Sequence, residues 1–307
     1  MNYKKIIKNK KVRLQILKLL SFIPDKQMIQ LQYYIKLHRK CNLKNPRRYT
    51  EKLQWYKLHY RTPLMRQCAD KWEVRKFVEE CGLSDILIPA IGVFDKVEDI
   101  DFEKLPEKFV IKDTLGGGGN EVIICSDRRK FNQEEAVRRM KEWLTRGTSY
   151  KAGGREWVYG GREHRVIIEN FIDSIPDEGG LIDYKFFCFC GRVEYLYVIA
   201  DRCVGKKAAI GIFTLDYKKL EVVRCDEEPL RREIPKPRNY EEMVHIVETL
   251  SKPFPAARID LYNIDGKILF GEITFFDGSG YMSFVPDEFD FVMGEKFVLP
   301  ERNVSGA

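Results

Sequence analysis

Ala256-Ala-Arg-Ile-Asp-Leu-Tyr-Asn-Ile-Asp-Gly-Lys-Ile-Leu-Phe-Gly-Glu-Ile-Thr-Phe-Phe276 alternates apolar and polar residues on both sides of Asp265-Gly266. Alternation is the period of a half-buried strand, and Asp-Gly between two such runs signals a hairpin. A three-residue loop over 264–266, with Gly266 left-handed, is the expected closure, and it pairs Asn263 with Lys267. One face then carries Ala257, Ile259, Leu261, Leu269, Gly271, Ile273 and Phe275; the other carries Arg258, Asp260, Tyr262, Phe270, Glu272 and Thr274. Asp260 and Glu272 become diagonal neighbours about 7–8 Å apart. Carboxylates so placed can share a hard divalent cation, while Arg258 opposite Glu272 meets an anionic group. A two-residue loop would send the acids to opposite faces, so this reading requires an odd loop. The plainer alternative is a half-solvated sheet whose outer face is simply polar.

Upstream, Phe109-Val-Ile-Lys112 runs through Asp-Thr-Leu into Gly116, Gly117, Gly118 and Gly119, and Glu121-Val-Ile-Ile-Cys125 follows. Strand, glycine loop and strand suit a phosphate site. Consecutive glycines expose backbone N–H groups, and Lys112 brings a point charge to the same oxygens. Val166-Ile-Ile-Glu169-Asn-Phe-Ile-Asp173 is an apolar strand running into a mixed segment able to offer backbone groups to an adenine ring. Asp183-Tyr-Lys185 alternates, so Asp183 and Lys185 share a face suited to ribose and phosphate; a local ion pair is the bland alternative.

Hydrophobic content of 44% and charged content of 32% describe a globular chain, and no window of eighteen apolar residues exists to span a membrane. Lysines and arginines interrupt every apolar run of a would-be secretory signal, so the cytoplasm is the expected address. Eight cysteines without a CxxC pair and only four histidines build no zinc constellation. Cys188 and Cys190 read as small core residues on one strand face. Charge is uneven: residues 1–66 hold eighteen Lys/Arg against two Asp/Glu, leaving −9 on the other 241 residues of a +7 chain. Such a segment meets phosphate, an acidic polymer or an anionic bilayer, or is merely a solvated helical face.

Residues 1–66 read as mainly helical, with Thr50 capping one helix; a further helix is expected over 69–81, ending near Gly82. Leu87-Ile-Pro89 and Gly92-Val-Phe94 read as strands, Asn132 caps a helix over 132–146, and residues 239–251 form another helix. A second hairpin turns at Gly191-Arg192. Antiparallel hairpins mixed with helices predict an α+β fold, not a doubly wound parallel sheet. Neither GxxxxGK[ST] nor a strand-linked GxGxxG is present, so a nucleotide would be gripped between sheets.

Taken together these residues resemble the ATP-grasp superfamily, and within it the TupA-like group of teichuronopeptide biosynthesis proteins. The carriers are Tyr49-Thr-Glu-Lys-Leu-Gln-Trp55, Asp70-Lys71-Trp-Glu-Val-Arg75, Ile88-Pro89, Val110-Ile-Lys112, Asp183-Tyr-Lys185-Phe, Arg258-Ile-Asp260-Leu-Tyr262 and Gly271-Glu272-Ile-Thr274, spanning about residues 45–294. The resemblance implies an ATP-grasp fold of two α+β lobes, 67–165 with the glycine loop and 166–307 with hinge and hairpin, behind the basic region 1–66. It implies Lys71 and Lys112 on the phosphates, glycines 116–119 as their lid, and Glu169, Asn170, Phe171 and Ile172 as the adenine hinge. Asp183 and Lys185 would complete the ATP site. Asp260, Glu272 and Thr274 would hold Mg²⁺ or Mn²⁺, with Thr274 where many relatives carry asparagine. Arg258 and Lys185 would be catalytic in carboxylate–amine ligation through an acyl phosphate. The implied setting is surface or capsular polysaccharide synthesis, where a uronic or amino acid meets an amine. No nucleic acid is expected, and a peripheral membrane or lipid-linked glycan contact is assigned to the basic segment. The rival readings are a kinase-like phosphotransferase, which lacks the spacing of a catalytic-loop Asp and Asn, and a glycosyltransferase, which lacks a convincing DxD.

Overall fold

The computed structural model describes residues 15–17, 19–117, 121–146, 153–173, 180–200 and 209–304. Gly118 and Gly119 of the expected lid, and residues 1–14 of the basic segment, lie outside them. Seven α-helices are used below: α1 (Asp25–Leu37), α2 (Tyr49–His59), α3 (Pro63–Cys68), α4 (Glu73–Glu80), α5 (Gln133–Leu144), α6 (Tyr240–Ser251) and α7 (Glu288–Lys296).

A small antiparallel sheet has the order β1-β4-β2-β3, formed by β1 (Ala90–Phe94), β2 (Phe109–Asp113), β3 (Val122–Cys125) and β4 (Val166–Asn170). Ile111, Val166 and Ile168 pack with Met140 and Trp143 of α5 into its own core. Strand β4, assigned from the sequence to the second lobe, hydrogen-bonds within this first sheet, so the passage between sheets falls between Asn170 and Asp183. Leu87-Ile-Pro89 leads into β1 without joining the ladder, although the Pro89 carbonyl accepts the Asn170 N–H at 3.0 Å.

The larger sheet is built from β5 (Asp183–Phe189), β6 (Arg192–Ala200), β7 (Ala209–Thr214), β9 (Glu228–Pro229), β10 (Ala256–Ile264) and β11 (Lys267–Thr274), in the order β11-β10-β5-β6-β7-β9. All pairings are antiparallel except β7 with β9. A short ribbon joins β8 (Val223–Arg224) to β12 (Phe284–Val285). Every residue of β5 is buried, because the sheet is covered on both faces: Phe186 meets Tyr240 of α6, and Phe187 meets Tyr49 of α2. The β5–β6 turn is Cys190-Gly191, both with positive φ, one residue earlier than the sequence suggested. Cys190 is therefore exposed in a turn, and only Cys188 is a core residue.

Two capping expectations need revision. Thr50 lies inside α2, bonding Asp290 (2.8 Å) and Tyr33 (2.8 Å); the start of the helix is held instead by Glu51, which accepts the Arg47 and Arg48 N–H groups at 3.0 and 3.2 Å. Of the helix expected over 69–81 only α4 (Glu73–Glu80) forms; residues 69–72 are a turn that joins it to the preceding α3. Buried Asp70 caps α4 by accepting from Trp72 N (2.8 Å) and Glu73 N (3.0 Å), and this fixes Lys71 in the joint. Asn132 does cap α5, accepting the Glu135 N–H at 3.0 Å.

The stretch before α1 is tied to the body by Arg155, whose side chain is fully buried. It donates to Leu20 O (3.2 Å), Ile23 O (3.0 Å) and Asp25 Oδ1 (2.7 Å). Removing one partner of such a buried ion pair leaves the other uncompensated. Arg155→Ala is expected to cost about 3 kcal/mol of unfolding free energy in urea titrations; a loss within ordinary surface-mutation scatter would show that the anchor contributes nothing.

Candidate active site

The hairpin closes with a two-residue turn. Ile264 pairs with Lys267, and Asp265 (φ 50°) and Gly266 (φ 87°) are both left-handed, as a type I′ turn requires. By parity alone this would separate the two acids. They nevertheless share a face, because a β-bulge intervenes: Leu261 pairs with Phe270, but Asp260 pairs with Glu272, so Gly271 is the extra residue. Asp260 and Glu272 are thus directly opposite, not diagonal, and Arg258 lies opposite Thr274, not Glu272. The bulge also exchanges two side chains. Phe270 joins the main core, and Leu269 pairs with Tyr262 on the other face.

Glycine fits the bulge closely: a Cβ at 271 would lie 3.0 Å from Asp260 O and 3.3 Å from Asp260 Cβ, tight enough that the neighbouring strand would have to shift by a few tenths of an ångström. Gly271→Ala is expected to push the two acids apart and lower metal-dependent turnover on the order of tenfold. Unchanged turnover would mean that the strands yield without moving the carboxylates.

Around these acids the cations are dense. Lys185, opposite Asp260 on β5, contacts Asp260 Oδ2 and lies 2.7 Å from Asp183 Oδ2. Arg258 donates to Asp260 Oδ1 (2.7 Å) and Oδ2 (2.8 Å), Glu272 Oε1 (3.1 Å), Thr274 Oγ1 (3.1 Å) and Asp277. The Lys71 ammonium donates to Gly116 O and lies 3.7 Å from Glu272 Oε2, while its backbone N–H donates to Thr114 O at 2.9 Å. Lys71 therefore ties the beginning of the glycine loop to the hairpin. Burial pushes the Glu272 carboxyl up, but Lys71, Lys185 and Arg258 outweigh it and hold it at about 2. Asp260 goes the other way: its deeper burial drives it above the ordinary carboxylate range against Arg258 and Lys185.

On the facing sheet Lys112 donates to Glu169 Oε2 at 2.6 Å, and Arg75 lies 3.8 Å from Oε1. Asn170 ends β4, and Phe171 and Ile172 leave the sheet half-buried, with Lys108 5.7 Å from the Phe171 ring. The expected phosphate lysine and hinge acid are thus partners of each other, and Gly116 and Gly117 stand at the end of the same sheet. A concavity of about 440 Å³ lined by Trp72, Arg75 and Arg165 adjoins this region without including the hairpin acids.

Reading the sequence missed a second layer. Asp277, buried, sits between Arg258 and Arg224 (3.2 Å), and Arg224 is held in turn by Asp226 at 2.8 Å. The turn-forming string Asp277-Gly-Ser-Gly280 was the available signal; nothing local marks Arg224. The turn is gripped from behind by Lys57 of α2, which donates to Ser279 O (2.7 Å), Gly154 O (2.8 Å) and Gln54 Oε1 (3.1 Å).

Burial pulls the Lys57 ammonium down to about 7, with Glu156 opposing. Unfolded lysine titrates near ~10.4. Between these values the unfolded chain binds the extra proton, so stability from this position rises with pH across that window. The wild-type advantage over Lys57→Met should therefore grow from pH 7 to pH 10 in urea titrations. A flat difference would show Lys57 fully charged in the fold.

A family model described as TupA-like ATPgrasp matches residues 51–298. The chain belongs to the TupA-like ATP-grasp family. The fold is accordingly the α+β ATP-grasp arrangement, and Asp260, Glu272, Lys71 and Lys112 all lie within the matched span. No curated protein matches the chain. Among solved structures it is similar to an L-amino acid ligase from Bacillus licheniformis, with 15% identity over 91% of this chain and 64% of that one at a TM-score of 0.48. It is also similar to a D-alanine–D-alanine ligase from Bacillus anthracis complexed with ATP, with 18% identity over 68% and 54% at a TM-score of 0.39. The chain thus spans about half to two-thirds of the length of these enzymes, and no residue is assigned from them.

Proposed function

We propose that this TupA-like ATP-grasp protein is an ATP- and Mg²⁺-dependent carboxylate–amine ligase working through an acyl phosphate. The observation that carries the reading is the polar end of the hairpin, where Arg258, Asp260, Glu272 and Thr274 converge with Lys71 and Lys185 beneath the start of the glycine loop.

Charge balance supports a metal. Asp183, Asp260, Glu272 and Asp277 are matched there by Lys71, Lys185, Arg258 and Arg224, and Lys112 is matched by Glu169. A triphosphate would bring negative charge that this neutral set does not offset. Asp260 and Glu272 with the Thr274 hydroxyl are hard oxygen donors, and the rest of a Mg²⁺ shell usually comes from water and phosphate. When bound, Mg²⁺ (or Mn²⁺) supplies Lewis-acid neutralisation of the transferred phosphoryl group. The cations now paired with these acids, Lys185, Arg258 and Lys71, then become available to phosphate oxygens, with Lys112 from the facing sheet.

In this reading a substrate carboxylate oxygen attacks the γ-phosphorus and ADP leaves. An amine then attacks the acyl carbon, and phosphate departs. Arg258 and the lysines offset the charge on the transferred group, and no side-chain nucleophile is required. The carboxylate we favour is that of a uronic or amino acid in surface-polysaccharide synthesis, and the basic first 66 residues suit such an acidic substrate.

The test supplies Mg-ATP, candidate uronic and amino acids and an amine, with hydroxylamine to trap an acyl phosphate. ADP, phosphate and an amide or hydroxamate are expected. A stable phosphorylated product would replace ligation by phosphotransfer.

A further inference from the structure

We infer that the stretch from Leu19 to Ile35 is an interfacial surface that docks on an anionic lipid bilayer. Its outward side carries large apolar side chains among the exposed Lys26, Gln27 and Gln30. Leu19 is 76% exposed and Phe22 79%, and on α1 Leu31, Tyr34 (57%) and Ile35 also face outward. The last three fall at i, i+3 and i+4, so they share one stripe of the helix. The opposite stripe, Met28, Ile29, Gln32 and Tyr33, is buried against the protein. Large apolar side chains exposed together on both sides of a single joint call for a covering surface.

The surrounding charge chooses the cover. Residues 1–26 contain eight Lys/Arg and one acid, and that acid, Asp25, is paired with Arg155. A basic stretch of sequence that runs into exposed Leu, Phe and Tyr is the composition of an interfacial anchor for anionic headgroups: the apolar groups would enter the acyl boundary and lysines would meet lipid phosphates. A second copy is disfavoured, because a symmetric contact would bring two such positive segments together.

The anchor gives docking a direction. Arg155 holds Leu20, Ile23 and Asp25. On either side of it in sequence, Gly154 O is bonded by Lys57, and Glu156 bonds Ser279 in the turn behind Arg258. The surface is thus fixed relative to the hairpin. None of this depends on the ligase reading.

The full chain is to be sedimented with phosphatidylcholine vesicles, with and without phosphatidylglycerol. Binding only to the anionic vesicles, weakening with salt, is expected. Leu19→Ser/Phe22→Ser should weaken partition by about tenfold or more, and Lys8→Glu/Lys10→Glu/Lys11→Glu should abolish the lipid-charge dependence. ATP turnover without vesicles should stay unchanged in the Leu19/Phe22 variant, and the melting temperature should stay unchanged in both. Absence of binding, equal binding to neutral vesicles, or a dimer in solution dissociated by the Leu19/Phe22 change would overturn the inference.

Discussion

Asp260→Asn is expected to abolish metal-dependent ATP turnover, with a loss on the order of 10³-fold. The carboxylate is buried and accepts from Arg258 and Lys185 at once. Its amide would leave two buried cations short of a counter-charge, so this variant should also lose about 3–5 kcal/mol of stability. Glu272→Gln separates the two effects, because that side chain is 35% exposed, so solvent screens its pairings and its unfolding cost should be smaller than that of Asp260→Asn. Turnover lost in both variants, with the fold weakened chiefly in the first, is the expected pattern in parallel kinetic and urea experiments. Full Mg-ATP turnover in either would dismantle the site. A pH dependence accompanies this. Glu272 is held near 2 in the fold, so its contribution is present above the ordinary carboxylate range and lost as pH falls through about 2. The wild-type advantage over Glu272→Gln should shrink on acidification.

Arg258→Lys is expected to be nearly as damaging, although it keeps the charge. The guanidinium reaches Asp260, Glu272, Thr274 and Asp277 together, a fan of donors that one ammonium does not reproduce. Turnover should fall about 10²–10³-fold, with a much smaller change in the KM for ATP, because the lost contacts serve the transferred group. Asp277 should become a second route to the same defect. Asp277→Asn frees one side of Arg258 while leaving both hairpin acids in place, so a kcat loss in that variant would mark Asp277 as a positioning residue. Near-wild-type kcat in Arg258→Lys would show that charge alone suffices.

Much of this site was legible because it is written in short-range periodicity. Alternation put Asp183 and Lys185 on one face, where they pair, and put Asp260 and Glu272 on one face too, although through a three-residue loop where the chain uses a two-residue turn and a bulge. The turn chemistry was legible too, but its residue count was not. Asp-Gly fits both two- and three-residue loops, and only packing decides that Phe270 enters the core while Gly271 is pushed out. Asp277 and Arg224 are 53 residues apart and meet through a short ribbon, so no local pattern could pair them. Lys57 had looked like one more solvated lysine in a basic segment. Tertiary packing buries it, and it is not part of the exposed charge.

The bulge at Gly271 also bears on how the chain folds. A hairpin zipped from its turn without pause would continue the tip register and pair Asp260 with Gly271. It would drive the Glu272 carboxylate toward the side on which Ile259, Ile273 and α6 pack. Burying an unpaired carboxylate there is far costlier than the ladder bond gained. The misregistered hairpin is therefore penalised as the larger sheet and α6 close over it. The bulge that sets the geometry of the acids thus also keeps the Glu272 carboxylate out of the core, so the side chain that serves the site disfavours the unbroken register.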